Sequence, residues 1–237
     1  ANGMNAEQSD SHAGAAVVLL SGGLDSSVLL YYVIRELGRK PVFALSCRYG
    51  QKHERELEMA RWQVGHLGDA VADHACVDLR SFRALVAGTS TLMDGGGDVP
   101  ELSAVAADRR DQPPTYVPNR NMLLLSLGAA YAEACGCSDV YYGAQAQDEY
   151  GYWDCTPAFV EKINAVLALN RREPVRVVAP FVGKSKREEI LLGRRLGVDF
   201  AHTWSCYRGD EHPCGTCPTC VERATAFKEA GMEDPLA

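Results

Sequence analysis

Two clusters in this 237-residue chain have the residue types and spacing to do chemistry. The first is Ser21-Gly22-Gly23-Leu24-Asp25-Ser26-Ser27, which follows an apolar run ending at Leu20 and opens a segment with helical periodicity. Its glycines let backbone amides turn inward, its hydroxyls add donors, and a helix N-terminus brings the positive end of its dipole. A loop of this kind suits the oxygens of a pyrophosphate. It is not a Walker A loop, which ends in Gly-Lys-Ser/Thr, nor the G-x-G-x-x-G dinucleotide fingerprint. Gly183-Lys184-Ser185 imitates the Walker ending, but Val178 stands where the first glycine would be required. The plainer reading of residues 21–27 is a strand-to-helix turn with a serine cap, and on turn chemistry alone it stays open.

The second cluster is Cys206, Cys214, Cys217 and Cys220, four cysteines within fifteen residues. Two short C-x-x-C steps, with Gly215 and Pro218 in the turns, could deliver four thiolates to a tetrahedral Zn²⁺. A redox C-x-x-C and reduced structural cysteines are the alternatives. Four thiolates close a zinc shell, so the reading is a structural metal that staples the C-terminal segment to the rest. The other five cysteines, Cys47, Cys76, Cys135, Cys137 and Cys155, are scattered and read as small buried hydrophobes.

These clusters need elements to position them. Buried-strand runs occur at 15–20, 41–47, 70–77, 139–143 and 175–180, and helical periodicity at 26–37, 54–67, 122–135, 158–170 and 186–196. Continuously apolar strands separated by helices predict a parallel sheet covered on both faces. In such sheets ligands sit outside the carboxyl ends of the strands, which directs attention to the loops after Leu20, Cys47, Gly143 and Pro180. Residues 88–118 lack a clear period and read as a long functional loop or lid.

Hydrophobic residues at 46% supply a core, and 24 Lys+Arg against 31 Asp+Glu give a formal charge of -7. That balance is unlike the basic footprint of a nucleic-acid-coating protein, so no nucleic-acid partner is expected. No apolar run approaches the ~20 residues that span a bilayer. Residues 1–14 are polar, without the basic and apolar regions of a signal peptide, and read as a disordered tail. The expectation is a cytoplasmic protein without membrane partners.

Ser-Gly-Gly-x-Asp-Ser after a first strand resembles the PP-loop of the N-type ATP pyrophosphatases, which adenylate a substrate by cleaving ATP between its α and β phosphates. With the cysteine cluster, the chain resembles one family among them, the QueC-like 7-cyano-7-deazaguanine synthases. That resemblance rests on the ordered set 21–27, Tyr49-Gly50-Gln51 with His53, Val117-Pro118-Asn119-Arg120-Asn121, Tyr152-Trp153-Asp154-Cys155, Lys184-Ser185-Lys186 and Thr203-Trp204-Ser205-Cys206-Tyr207. Two positions depart from the family pattern: Trp153 stands where proline is common, and Asn119 where glycine is frequent.

The resemblance implies an α/β fold, a Rossmann-like (adenine nucleotide α-hydrolase-like) parallel sheet over 15–200, with a zinc-binding segment at 201–237. It implies that 7-carboxy-7-deazaguanine, ATP and ammonia yield 7-cyano-7-deazaguanine through an adenylated acid and an amide. Paralogues that stop at the amide or join the base to another amine, and a tRNA-thiolating enzyme with Cys217 and Cys220 carrying sulfur, are the alternatives, beside a non-catalytic nucleotide-binding module. ATP would contact Leu20, Ser21, Gly22, Gly23, Leu24, Asp25, Ser26, Ser27, Tyr49, Gly50, Gln51, Arg120, Asn121 and Lys186. Asp25, Ser26, Lys186 and Arg120 would serve the chemistry, with Asp25 as partner of a phosphate-bridging Mg²⁺. Lys184 rivals Lys186, and either reads equally as a solvated lysine. Gly143, Asp148, Tyr152 and Asp154 would meet the deazapurine, with the Asp154 carboxylate reading the N1–H and amine donors of its edge. Tyr152 and Trp153 could wall the base or simply pack. The family also implies a homodimer.

Overall fold

The computed structural model describes residues 14–50, 55–93, 96–101, 113–145, 152–208 and 211–237. Five strands form one parallel sheet in the order β3-β2-β1-β4-β5. They are β1 (Ala16–Leu19), β2 (Val42–Arg48), β3 (Asp73–Asp78), β4 (Asp139–Tyr141) and β5 (Arg176–Val178). The helices are α1 (Leu24–Tyr31), α2 (Arg55–Leu67), α3 (Arg80–Val86), α4 (Arg120–Cys135), α5 (Pro157–Leu167), α6 (Lys186–Leu196) and α7 (Pro218–Glu229).

β1 has no polar residue because both of its faces are covered. Ala16 and Val18 pack with α1 and α6 residues such as Val28 and Ile190, whereas Ala15 and Val17 pack with Ala129 and Ala132 of α4. Alternating side chains of one strand thus feed two apolar layers, as a doubly covered parallel sheet requires. The chain builds β1, β2 and β3 outward in one direction, then returns to place β4 on the other side of β1. This reversal opens a crevice at the carboxyl ends of β1 and β4, the switch point where open α/β sheets bind ligands.

The elements differ from the sequence expectation mainly at their ends. The helix expected over 26–37 starts at Leu24 and gives way to a wider π turn over Tyr32–Glu36. The strand expected at 70–77 is Asp73–Asp78, preceded by a 3₁₀ turn at Gly68–Ala70. α3 and α7 were not expected. α3 is short and mostly exposed, and α7 starts inside the cysteine motif, where thiol spacing masks helical periodicity. Among the described residues, no helix is long and apolar enough to cross a membrane.

Candidate active site

The loop after β1 folds around one hydroxyl. Ser26 Oγ accepts hydrogen bonds from the Ser21 and Gly22 amides, each at 3.2 Å, and lies 3.0 Å from Ser21 Oγ. It donates in turn to the Gly23 carbonyl at 3.2 Å. Gly22 has φ +92°, and a Cβ there would fall 1.8 Å from the Glu56 carbonyl oxygen of α2. Only glycine permits that approach. The Gly22 carbonyl accepts the Trp204 amide at 3.0 Å, so the loop is tied to α2 and to the C-terminal segment together.

α6 begins with a capping box. Ser185 caps the helix through the Glu188 amide, and Glu188 reaches back to the Ser185 amide at 2.8 Å. This fixes Lys186 at the first helical position. Its Nζ donates to both carboxylate oxygens of Asp25 at 2.8 Å and lies 4.0 Å from Glu222 of α7. One turn on, Glu189 is fully buried and accepts a hydrogen bond from the Gln145 side-chain amide. Burial, and then the Asp25 charge, raise the Glu189 carboxyl well above the ordinary range.

On the opposite side Arg120 opens α4. Its Nη1 donates to the Tyr49 hydroxyl at 3.4 Å and its Nε to Asn121 Oδ1 at 3.3 Å. Burial opposes its charge, but the surrounding Tyr49, Tyr152 and Tyr207 oxygens hold it, so the guanidinium stays cationic. Burial also raises the hydroxyl pKa of Tyr49 and drives that of Tyr142 well up.

The loop after β1, Lys186 and Arg120 share a cavity of about 280 Å³. Of the residues expected at the site, Leu20, Ser21, Gly23, Leu24, Asp25, Ser26, Tyr49, Arg120, Asn121, Gly143, Tyr152 and Lys186 line it. Gly22, Ser27 and Gly50 do not: Ser27 is fully buried, and Gly22 is turned against α2. Lys184 is also absent from the lining, so geometry separates it from its rival. Gln51, His53 and Asp148 lie outside the described residues.

Asp154, expected to read a base edge, sits behind the wall. It is 2% exposed and is not a lining residue; its neighbours Tyr152 and Cys155 are. The Asp154 carbonyl accepts the Tyr142 hydroxyl at 2.8 Å, and burial raises its carboxyl pKa. Asn121 reaches the cavity in its place.

The four clustered cysteines meet in space, with all their Sγ atoms within 4.8 Å of one another. Four sulfurs ~2.3 Å from a tetrahedral ion would be about 3.8 Å apart, and Cys214 and Cys220 stand at 4.0 Å. Backbone amides also point at the sulfurs: Arg208 and Cys214 donate to Cys206 at 3.4 Å, and Cys217 donates to Cys214 at 3.3 Å. Amides aimed at sulfur stabilise thiolate, as a metal centre needs. The donor set fits a metal ion.

The family model described as queuosine biosynthesis protein QueC matches residues 15–231. The chain belongs to the QueC family. A 7-cyano-7-deazaguanine synthase of Hahella chejuensis is 42% identical over 99% of this chain and 97% of its own length. Another protein of that name, from Chromohalobacter salexigens, is 42% identical over 93% of this chain and 84% of its own. In overall shape the chain is similar to an NMN synthetase of Francisella tularensis (TM-score 0.49, 14% identity, covering 94% of this chain and 79% of that one).

The two departures from the QueC pattern have local accounts. Asn119 caps α4 in the left-handed region (φ 52°, ψ 20°), where glycine is at ease and asparagine is the side chain best tolerated. Trp153 is 43% exposed, donates to the Tyr116 hydroxyl at 3.1 Å and packs edge-on against Phe159. It does not line the cavity. Sequence reasoning missed Glu56, Gln145, Glu189 and the wall formed by Trp204, Ser205, Tyr207 and Thr219. Glu56 follows the Tyr49-Gly50 segment closely in sequence, but nothing local distinguished it from a solvated helix acid.

Proposed function

We propose that this chain is an ATP-dependent C–N ligase that converts 7-carboxy-7-deazaguanine and ammonia to 7-cyano-7-deazaguanine. One observation carries the reading: the Ser26-centred loop, the Asp25–Lys186 pair and Arg120, distant in sequence, line one cavity at the β1/β4 switch point. The names of the QueC relatives supply the substrate class.

The substrate carboxylate attacks the α-phosphorus of ATP, forming an acyl-adenylate and releasing pyrophosphate. Ammonia displaces AMP to leave the amide. A second ATP activates the amide oxygen, and loss of AMP leaves the nitrile. The first-turn amides at the α1 N-terminus would receive the pyrophosphate, while Lys186 and Arg120 would offset charge on the transferring group. Mg²⁺ would neutralise the phosphates, and Asp25 would contribute a carboxylate oxygen to it. Cys206, Cys214, Cys217 and Cys220 would hold Zn²⁺, a closed structural site. Tyr152, Gly143 and Asn121 would face the deazapurine, with Asp154 behind them. Ammonia as nitrogen donor, a homodimer and a cytoplasmic location belong to the same reading.

The test is incubation with 7-carboxy-7-deazaguanine, ammonium and Mg·ATP, followed by mass spectrometry of the base and quantitation of AMP. Two AMP per nitrile are expected. Accumulation of the amide alone would reassign the chain to amide formation, and absence of base-dependent AMP would overturn the reading.

A further inference from the structure

We propose that Glu56 is the proton acceptor for the nitrogen, first as it attacks and then as the amide gives up its last protons, an assignment that rests on the reaction proposed above. The chemistry requires such a group. Ammonia enters with three N–H bonds, and the nitrile keeps none. When its nitrogen forms the C–N bond and the C–O bond to AMP breaks, one proton must leave to give the neutral amide. After the amide oxygen has displaced pyrophosphate from the second ATP, breaking that C–O bond while C≡N forms releases AMP and the remaining two protons.

Few groups at the cavity can take a proton near neutral pH. No histidine is among its described lining residues. Asp25 has both oxygens engaged by Lys186, and Glu222 lies toward that same lysine. Tyrosine and cysteine are poor acceptors here in the neutral form, and burial pushes the Cys47 thiol up to about 11 and the Tyr49 and Tyr142 hydroxyls upward as well.

Glu56 is the third carboxylate. It stands in the first turn of α2 and lines the cavity, and its own backbone carbonyl is the atom against which Gly22 closes the loop. Its backbone is thereby anchored beside the loop where ATP would be cleaved, and the residue lines the cavity in which nitrogen would attack. Three charged or titratable groups on other elements face it: Arg120 of α4 favours its charge, Asp25 of α1 disfavours it, and Tyr49 after β2 has its own hydroxyl pKa raised by the Glu56 charge. Burial is the largest influence and raises its pKa to about 7, matched to an acceptor working at neutrality.

The experiment compares Glu56→Gln and Glu56→Asp with the wild-type chain, all carrying their metal, in three assays with 7-carboxy-7-deazaguanine and Mg·ATP. These are ATP–pyrophosphate exchange without ammonia, amide and nitrile formation with ammonia at fixed free NH₃ across pH, and hydroxamate formation with hydroxylamine. Hydroxylamine loses its proton after attack far more readily than ammonia and needs less help. In Glu56→Gln the ammonia-dependent rate should fall ~10²–10⁴-fold, with the wild-type pH limb near neutrality gone. Exchange and hydroxamate formation should change much less, and Glu56→Asp should recover part of the ammonia rate. Exchange falling in parallel with the ammonia step would assign Glu56 to ATP or its metal and overturn the proposal. An unchanged ammonia rate in Glu56→Gln would overturn it too. If the wild-type chain shows no exchange dependent on the deazaguanine acid, the parent reading fails instead, and the two failures are distinguishable.

Discussion

Ser26 organises its loop through a single oxygen, which accepts two backbone amides and donates to a carbonyl. Ser26→Ala should leave the strands and α1 in place yet release the loop amides from their common centre. Removing a positioned stabiliser of this kind costs on the order of 10²–10³ in rate, and Asp25→Ala should lose at least as much because it also removes the carboxylate that holds Lys186 at 2.8 Å. Steady-state AMP release with parallel circular dichroism checks both variants; near wild-type turnover in folded Ser26→Ala would contradict the loop's role. Asp154 poses a different residue-scale question. Its buried carboxyl has a pKa raised above the unfolded value, so its favourable contribution is complete below the unfolded range near ~3.9 and is lost as pH rises through the folded pKa. Asp154→Asn keeps the neutral shape. Its melting temperature relative to the wild type should therefore climb as pH is raised from mildly acidic to neutral. A difference that stays flat with pH would show that the carboxyl is not carrying this penalty.

Among the elements, the start of α4 deserves the closest test because it delivers both Arg120 and Asn121 to the cavity. Asn119 makes that start possible by taking a left-handed conformation at φ 52°. A β-branched side chain there meets its own carbonyl oxygen, at a cost of roughly 1–2 kcal/mol. Asn119→Val should lose about that much stability in urea unfolding and raise the KM for ATP by displacing Arg120. Asn119→Gly should be close to neutral, as the family's frequent glycine at this position implies. Equal losses in the two variants would move the explanation from backbone conformation to the asparagine side chain. α6 uses the opposite device: a regular capping box of Ser185 and Glu188 sets Lys186 where the chain enters the helix.

At the scale of the molecule, the cysteine centre and the cavity are one construction. Cys206 and Cys217 are buried in the same apolar cluster as Trp204, and Trp204, Ser205, Tyr207 and Thr219 form a wall of the site. Thr219 also donates to the Ser205 carbonyl at 2.6 Å, joining the wall to the first turn of α7. Metal binding is thus expected to hold the active site's shape as well as the C-terminal segment. Elemental analysis should find one Zn²⁺ per chain. Cys217→Ser should lose it, lower the melting temperature and weaken ATP binding measured by calorimetry, since site assembly and folding are coupled. A Cys217→Ser chain that keeps its stability and its ATP affinity, and loses only turnover, would make the cysteines reactive groups rather than a scaffold.

What was legible in the sequence was local or periodic. The apolar β1 run, the Ser-Gly-Gly turn, the helix at Lys186 and the spacing of the clustered cysteines each signal themselves within a few residues, because backbone conformation and metal geometry act over that range. The parallel sheet followed from the alternation of such runs. Element ends were less legible: the π turn after Tyr31 and the late start of β3 depend on packing against neighbours that no window of sequence contains. The tertiary structure alone decided which polar residues share the cavity. It brought Glu56 to Gly22, Gln145 to Glu189 and Lys186 to Asp25, and left Lys184 and Asp154 off the lining. Those pairs are joined by strand order rather than by sequence distance. Reversing the sheet between β1 and β4 makes one crevice from segments that propensity and pattern treat as unrelated.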